Sequence, residues 1–282
     1  VTKYIKGEIE KEKLLNVSII EGESVYNSRI KHIEVDLNSL PLPDRELYYK
    51  RYKYLADFPN RRFISSRGCL LRCSFCYISG LKEIFGRMRI LRKTPQRIVE
   101  EVLSVVRKYK TRFIYFGDDL FPVWDVDWLK EFSELWMREV SIPFKINALA
   151  NFINKTTAEL LSKAGCKLVS IGIETYRERF RKDVLDKVML SNDSILDAVR
   201  ILKDYKISIE SYKIINMPEE GFDDWMKTIN FNRELGVSYA KVTTFLPIPK
   251  TTLVDNNSSI RYYNHSKPWL TEQDELKKGM LE

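Results

Sequence analysis

The chain has 282 residues, of which 44% are hydrophobic and 30% charged, the proportions of a globular protein with a substantial core. No apolar run approaches the roughly 18 residues of a membrane span, and no signal-peptide pattern opens the sequence, so we expect a cytoplasmic protein. The 47 Lys and Arg residues against 39 Asp and Glu give a formal net charge of +8, spread along the chain. This favours a solvated basic surface over a nucleic-acid-binding surface.

Six predicted strands alternate with helices between Arg62 and Leu246. A helix begins at Pro95 with Thr94 as its N-cap, and apolar periodicity predicts further helices over 128–139, 157–164, 195–202 and 222–235. The predicted strands are residues 62–66, 112–116, 144–149, 168–172, 207–215 and 239–245. Such alternation indicates an α/β fold with a parallel sheet covered by helices, and six units of about 30 residues each fit this span. We therefore predict a partial (β/α)6 TIM-like barrel over residues 61–250, with an N-terminal connector at 1–60 and a C-terminal extension at 251–282.

Three cysteines lie close together immediately after the first predicted strand. Cys69, Cys73 and Cys76 have the spacing C-x3-C-x2-C, whereas Cys166 lies far away in the chain. A reducing cytosol argues against disulfides and for metal binding or catalysis. A structural zinc site needs four ligands, whereas three thiolates on one loop suit an iron–sulfur cluster with one iron left open. We interpret Cys166 as a small buried apolar residue.

The cysteine spacing, with Phe75 just before the last cysteine, resembles the signature of the radical S-adenosylmethionine superfamily. The resemblance implies that Cys69, Cys73 and Cys76 bind a catalytic [4Fe–4S] cluster whose open iron chelates S-adenosylmethionine. It implies that an electron from this cluster cleaves the cofactor to a 5′-deoxyadenosyl radical. It also implies a partial barrel of six units, the fold that the strand pattern predicts independently.

Ligands in such folds collect at the carboxyl ends of the strands. Gly117, Asp118 and Asp119 follow the second predicted strand and match the family's glycine–acid motif, which contacts the amino group of S-adenosylmethionine. Glu174, after the fourth strand, resembles a polar contact of the family near the cofactor. The resemblance therefore implies a cofactor-binding set that consists of Phe75, Gly117, Asp118, Asp119, Asn147, Glu174, Asn216 and Leu246.

Three strand-end positions depart from the family pattern. Asn216, Glu219 and Lys250 stand where relatives usually carry glycine. Because glycine adopts conformations that other residues avoid, we expect the loop after the fifth strand to be less permissive than in relatives.

The flanking segments resemble one branch of the superfamily. Residues 4–8 and 36–45 resemble the connector that joins a cobalamin-binding domain to the radical domain. This implies a methyltransferase that acts on an unreactive carbon, with cobalamin as a further cofactor that an upstream domain would supply. We expect the connector to be anchored on the barrel flank by Leu14, Leu15, Leu37 and Leu40. The expected partners are a small-molecule or lipid substrate and an electron donor such as ferredoxin or flavodoxin.

Two alternatives accompany this interpretation. A methylthiotransferase-like enzyme acting on RNA or protein would carry a second cysteine set before the radical domain, but residues 1–60 contain no cysteine. A zinc-dependent nucleic-acid-binding protein would use the basic surface, and iron with sulfide in the purified protein would exclude it.

Overall fold

The central feature of the protein is a sheet of six parallel strands. The computed structural model describes residues 1–31, 35–86 and 89–255. In chain order the strands are β1 (Ser18–Glu21), β2 (Ser24–Asn27), β3 (Asn60–Phe63), β4 (Ser66–Arg67), β5 (Leu91–Arg92), β6 (Phe113–Phe116), β7 (Phe144–Ala148), β8 (Cys166–Glu174), β9 (Ser208–Ile215) and β10 (Tyr239–Thr244). The central sheet consists of β3 and β6 to β10, which lie side by side in the order of the chain. This sequential, all-parallel order confirms the prediction of a partial TIM-like barrel.

Helices connect these strands. In chain order they are α1 (Thr2–Ile5), α2 (Glu46–Tyr49), α3 (Lys53–Asp57), α4 (Tyr77–Phe85), α5 (Pro95–Val106), α6 (Val126–Glu139), α7 (Lys155–Lys163), α8 (Glu178–Asp183), α9 (Asn192–Asp204), α10 (Phe222–Leu235) and α11 (Thr252–Asp255). Helices α5, α6, α7 and α9 contact one another in sequence and cover one face of the sheet. The α/β alternation that the sequence predicts is therefore present from β3 to β10.

Local sequence signals set several helix ends. Thr94 caps α5 by accepting a hydrogen bond from the backbone N–H of Arg97 at 3.2 Å, as predicted. At α7, Asn154 and Thr157 form a reciprocal capping box, so this helix begins two residues earlier than predicted. Helix α10 ends at Gly236, whose φ of 59° lies in the left-handed region that favours glycine.

Two of the six strands differ from their predicted bounds by two residues or more, and the other four differ by one residue at one end. The first strand of the sheet ends at Phe63 rather than at residue 66, because Ser65 and Ser66 donate hydrogen bonds to the side chain of Asp118 instead of continuing the ladder. The fourth strand runs over 166–174 rather than 168–172. The short helices α4 and α8 were not predicted at all.

The core lies between the sheet and its helices and is dominated by aromatic side chains. The rings of Phe116, Phe132, Trp136 and Phe144 are almost fully buried, and their centroids are 5.1–5.8 Å apart. Most of these pairs are edge-to-face, the arrangement that the ring quadrupoles favour. This core holds the strands from which the site described below is built.

The N-terminal segment contacts the barrel at the start of α5 and along it. Asn38 accepts a hydrogen bond from the backbone N–H of Thr94 at 2.7 Å, and Arg45 forms an ion pair with Glu101 of α5 at 3.1 Å. Two of the predicted anchors, Leu14 and Leu37, are buried. The other two, Leu15 and Leu40, are 37% and 43% exposed, so the prediction that they anchor the segment was wrong. Polar contacts to α5 contribute the remaining attachment.

The C-terminal extension lies mostly outside the described residues, since only 251–255 of the predicted 251–282 are described. Within the described part of the chain, no helix has the length and apolar character needed to cross a membrane.

Candidate active site

The three clustered cysteines lie on a loop at the carboxyl end of β3. The loop leaves β4, which pairs with β5, and enters α4 at Tyr77. Cys73 is buried, Cys69 and Cys76 are half-buried, and all three carry free thiols. The position agrees with the prediction, because ligands in parallel α/β folds bind at this end of the strands.

Hydrogen bonds to the backbone fix the cysteine loop. The ammonium group of Lys82 donates to the carbonyl oxygens of Cys69 at 3.1 Å and Leu71 at 2.8 Å. Ser74 donates through its hydroxyl to the carbonyl of Val184 at 2.6 Å and accepts at its own carbonyl from the N–H of Leu253 at 2.9 Å. The loop is thus tied to its own helix, to the segment after α8 and to α11.

An apolar cluster lies behind the loop. Phe75 packs against the buried side chains of Phe180, Leu185, Met217, Phe245, Leu253 and Val254. The family resemblance implied that Phe75 belongs to the cofactor-binding set. In the structure it packs beside the cysteines. Gly80 of α4 approaches the C-terminal loop closely, since a Cβ at this position would lie 3.0 Å from the carbonyl oxygen of Lys250.

The donor set fits an iron–sulfur cluster better than a single ion. Burial raises the pKa of all three thiols, and that of Cys73 to about 12, so cluster binding must displace their protons. Among the described residues, no three His, Cys, Asp or Glu side chains are close enough together to hold one metal ion. In a [4Fe–4S] cluster each cysteine binds a different iron, which suits three free thiols spread over one loop.

Asp118 and Asp119 have different surroundings although they are neighbours. Asp118 is 1% exposed, and its Oδ1 accepts hydrogen bonds from the backbone and hydroxyl groups of Ser65 and Ser66. Asp119 is exposed and accepts from the N–H of Gly68 at 3.1 Å and from the hydroxyl of Tyr77. Asp118 therefore holds the start of the cysteine loop, and Asp119 is the carboxylate available to a ligand.

Gly117 leaves open space beside this pair of carboxylates. Its N–H donates to the carbonyl of Phe63 at 2.8 Å. A Cβ at Gly117 would meet no atom nearer than 3.8 Å, so the protein itself does not require a glycine there.

Glu174 lies on the same rim and has a partner that the sequence did not indicate. The carboxylate of Glu174 forms a buried ion pair with Lys187 at 2.7 Å, and Lys187 also donates to the carbonyl of Gly172 at 2.8 Å. A Cβ at Gly172 would lie 2.5 Å from the Glu174 carboxylate and 2.9 Å from the Lys187 ammonium nitrogen, so any larger residue would displace this pair. Although burial opposes it, Glu174 raises the pKa of Lys187 above its ordinary value, so Lys187 is charged at neutral pH.

The carboxylates and the cysteines belong to one electrostatic environment. The charge of Asp119 acts on Cys69 and Cys76, and that of Glu174 acts on Cys73. Lys187 acts on all three thiols with the opposite sign. The structure thus brings the predicted Asp119 and Glu174 together with the cysteine loop.

The remaining predicted residues lie at other strand ends. Asn147, at the end of β7, donates to the carbonyl of Asp118 at 2.9 Å and so joins two strand ends. Leu246 follows β10 and is 46% exposed. Asn216, Glu219 and Lys250 all have a positive φ of 63–64°, the conformation that glycine adopts without cost. The loops therefore keep a glycine-like backbone path despite the different side chains.

Comparisons with known proteins agree with this geometry. Residues 63–244, about two thirds of the chain, match the family model described as the Radical SAM superfamily. An uncharacterized methyltransferase of Pyrococcus horikoshii is 28% identical over 86% of this chain and 52% of its own length. Bacteriochlorophyllide d C-12(1)-methyltransferase of Chlorobaculum tepidum is 24% identical over 94% of this chain and 58% of its own length.

A solved structure shares the fold. The radical S-adenosylmethionine methyltransferase TsrM of Kitasatospora setae, with cobalamin and a [4Fe–4S] cluster bound, superposes with a TM-score of 0.59 at 16% identity. The match covers 76% of this chain and 42% of TsrM. This chain spans about half the length of the curated relatives that it matches. The family match, the cysteine loop and the parallel half-barrel together show that the chain belongs to the radical S-adenosylmethionine superfamily of enzymes.

Proposed function

We propose that this radical S-adenosylmethionine enzyme is a cobalamin-associated methyltransferase that modifies an unreactive carbon. The observation that carries the radical chemistry of this proposal is the juxtaposition of three free thiols with Asp119 and Glu174 at one rim of the half-barrel. A [4Fe–4S] cluster and S-adenosylmethionine, when bound, supply reductive cleavage of the cofactor to a 5′-deoxyadenosyl radical. The protein contributes binding, orientation and shielding.

Named residues account for that contribution. Cys69, Cys73 and Cys76 would hold the cluster. Lys82 fixes the backbone of their loop through hydrogen bonds to the carbonyl groups of Cys69 and Leu71. Asp119 is an exposed carboxylate suited to the ammonium group of S-adenosylmethionine, since charge-assisted hydrogen bonds are the stronger kind. Its bond from Tyr77 keeps this carboxylate beside the cysteines.

Methyl transfer and cobalamin rest on the relatives rather than on this chain's own residues. Two relatives bear the name methyltransferase, and the solved neighbour TsrM is a methyltransferase with cobalamin bound. We propose that cobalamin reaches the open side of the half-barrel, that the substrate is a small molecule or a lipid, and that the enzyme works in the cytoplasm. An electron donor such as ferredoxin or flavodoxin would reduce the cluster.

The test is anaerobic reconstitution with iron and sulfide, followed by assays for 5′-deoxyadenosine and for transfer of a labelled methyl group. We expect 5′-deoxyadenosine from the unaltered chain and none from Cys69→Ala. Methyl transfer should depend on added cobalamin. Transfer of a methylthio group instead would contradict the methyltransferase assignment, and absence of 5′-deoxyadenosine from a fully loaded protein would contradict the radical mechanism.

A further inference from the structure

The face of the central sheet that points away from α5, α6, α7 and α9 carries many polar and charged side chains. We call it the inner face. Along β6, Ile114 and Phe116 are buried in the helix-side core, so the intervening Tyr115 belongs to the inner face. Bulky apolar side chains usually fill the interior of such barrels. An inner face with so many polar side chains is therefore a departure that packing does not explain.

Strand register identifies the other side chains of the inner face. Tyr115 is paired with Arg62 on one side and with Lys145 on the other. Further along the strands, Ser170 of β8 is paired with Asn147 of β7 and with Glu210 of β9. Tyr212 is paired with Gly172 and with Lys241. The polar side chains of the inner face are Arg62, Tyr115, Lys145, Asn147, Ser170, Glu210, Tyr212 and Lys241, and the same register and alternation add the apolar Phe113 and Leu168.

Cations and tyrosine rings alternate across this face. The ammonium group of Lys145 lies 5.0 Å from the ring centroid of Tyr115 and 5.7 Å from that of Tyr212. Arg62 lies 5.0 Å from the Tyr115 centroid, and Lys241 lies 5.4 Å from the Tyr212 centroid. A chain of cation–ring contacts therefore joins Arg62, Tyr115 and Lys145 to Tyr212 and Lys241, and it passes diagonally over β8 between Lys145 and Tyr212.

The inner face carries an excess of positive charge. Glu210 neutralises Lys145 through a direct ion pair and accepts a further hydrogen bond from Ser170 at 2.7 Å. Among the described residues, no carboxylate lies within 4.0 Å of Arg62 or Lys241, and both side chains are exposed. Contacts with tyrosine rings restrain exposed cations only weakly. Both cations are thus free to bind an anion.

We propose that the inner face binds the substrate and that this substrate is a small molecule bearing a carboxylate or a phosphate group, which Arg62 and Lys241 recognise. The inference rests on the proposed function, because it names the substrate class of the same enzyme. Arg62 suits either anion, since its guanidinium forms paired hydrogen bonds with both. The tyrosine rings offer apolar contact to the remainder of the molecule.

Asn147 connects the inner face to the cofactor rim. Its amide nitrogen donates to the carbonyl of Asp118 at 2.9 Å, and its amide oxygen accepts from the hydroxyl of Tyr212 at 3.4 Å. An anionic group held at Arg62 or Lys241 therefore lies on the same continuous surface as the cysteine loop. The anionic end of the substrate would lie at Arg62 or Lys241, and its reacting carbon would lie near the cofactor rim.

The test measures binding of three probes to the reconstituted protein saturated with S-adenosylmethionine. The probes are inorganic phosphate, glutarate and its neutral diamide, glutaramide. We expect phosphate, glutarate or both to bind, and glutaramide not to bind. In Arg62→Gln with Lys241→Gln the dissociation constant should rise by about tenfold or more, the usual effect of losing hydrogen bonds to a charged group. Binding of phosphate alone would assign a phosphate ester, and binding of glutarate alone a carboxylic acid.

The matched control pair is Arg112→Gln with Lys167→Gln, which removes the same charges from exposed positions away from the inner face. Arg62→Lys, which keeps the charge but loses the forked geometry, should give an intermediate affinity and serves if the double variant does not fold. The inference is overturned if neither anion binds better than glutaramide, or if the control pair loses as much affinity. Formation of 5′-deoxyadenosine by the unaltered protein tests the proposed function separately.

Discussion

At the scale of single residues, the two neighbouring carboxylates of the glycine–acid motif have separate tasks. Asp118 is buried and satisfies backbone and hydroxyl donors of Ser65 and Ser66, whereas Asp119 is exposed beside Tyr77. A sequence motif cannot distinguish them, because both follow the same strand and are one residue apart. In the fold, Asp118 meets the buried Ser65 and Ser66, and Asp119 meets Gly68 and Tyr77 on either side of the cysteines.

This difference predicts opposite outcomes for two substitutions. Asp118→Ala should lower the melting temperature, because it leaves buried donors unsatisfied at a cost of about 1–3 kcal/mol each. Asp119→Asn should leave the melting temperature unchanged and weaken S-adenosylmethionine binding roughly tenfold through loss of a charge-assisted hydrogen bond. Calorimetric titration and thermal unfolding of both variants check this. Equal effects of the two changes on cofactor affinity would contradict the separation.

The cysteines allow a matched pair of substitutions. Cys73→Ala should abolish the brown colour and the roughly four iron atoms per chain that a [4Fe–4S] cluster requires. Cys166→Ala should retain both, because Cys166 is 2% exposed at the start of β8 and its thiol donates to the carbonyl of Leu168 at 3.6 Å. Iron analysis and absorption spectra after anaerobic reconstitution provide the measurement. Equal iron loss in both variants would contradict the assignment of Cys69, Cys73 and Cys76 as the three cluster ligands.

At the scale of the elements, apolar periodicity predicted the helices and strands but not the side-chain contacts that strand pairing creates. All six strands of the sheet were predicted, because helices of clear apolar periodicity separate most of them. The inner-face partners Lys145, Glu210 and Tyr212 were not identified, since they are far apart in the chain and only the pairing of β7, β8 and β9 unites them. Lys187 was also missed. It lies on a loop, and only the folded chain brings it to Glu174.

Strand β9 also carries a buried lysine on its helix-side face. Lys213 is 1% exposed, its ammonium nitrogen has no hydrogen-bond acceptor among the described residues, and it lies 5.4 Å from the ring centroid of Phe231 in α10. Burial lowers the pKa of Lys213 to about 7. The unfolded chain would hold this proton up to a pH near the ordinary value of 10.5. Between these two values the unfolded state binds more protons, so stability rises with pH.

Lys213→Met should therefore stabilise the protein, on the order of a few kcal/mol at pH 7 and below. The advantage should shrink as the pH rises towards 10, because deprotonation of the unfolded chain removes the penalty from the unaltered protein. Thermal unfolding of both proteins between pH 6 and 10 measures this difference. Lys167→Met, at an exposed position on the neighbouring strand β8, is the control and should have little effect. A stability difference between the two proteins that stays constant over this pH range would show that packing, not charge, is responsible.

At the scale of the whole molecule, the half-barrel presents the cysteine loop near a basic part of the surface. Arg67 lies just before Cys69, and Arg72 just before Cys73, and both are exposed. Leu70, which lies between them in the sequence, is 48% exposed and adds an apolar side chain to this surface. Arg72 has a partner in Glu83, but the two groups are 3.9 Å apart and exposed, so this pair contributes little. The patch suits an acidic electron-transfer protein, because complementary charge accelerates encounter.

The charge of this patch should control how fast a reduced flavodoxin supports 5′-deoxyadenosine formation. Arg67→Glu with Arg72→Glu should slow the flavodoxin-driven rate by about tenfold or more at low salt, since steering between complementary charged surfaces changes association rates by at least this much. The rate with the unaltered protein should fall as salt rises, because a Debye length of about 8 Å at physiological ionic strength screens exposed charges. Arg112→Glu with Lys167→Glu makes the same change in net charge at exposed positions elsewhere and should leave the rate nearly unaltered. A small chemical reductant needs no docking surface, so with it the charge-reversed enzyme should match the unaltered one. A rate that falls equally with both reductants would instead place Arg67 and Arg72 in the support of the cysteine loop itself.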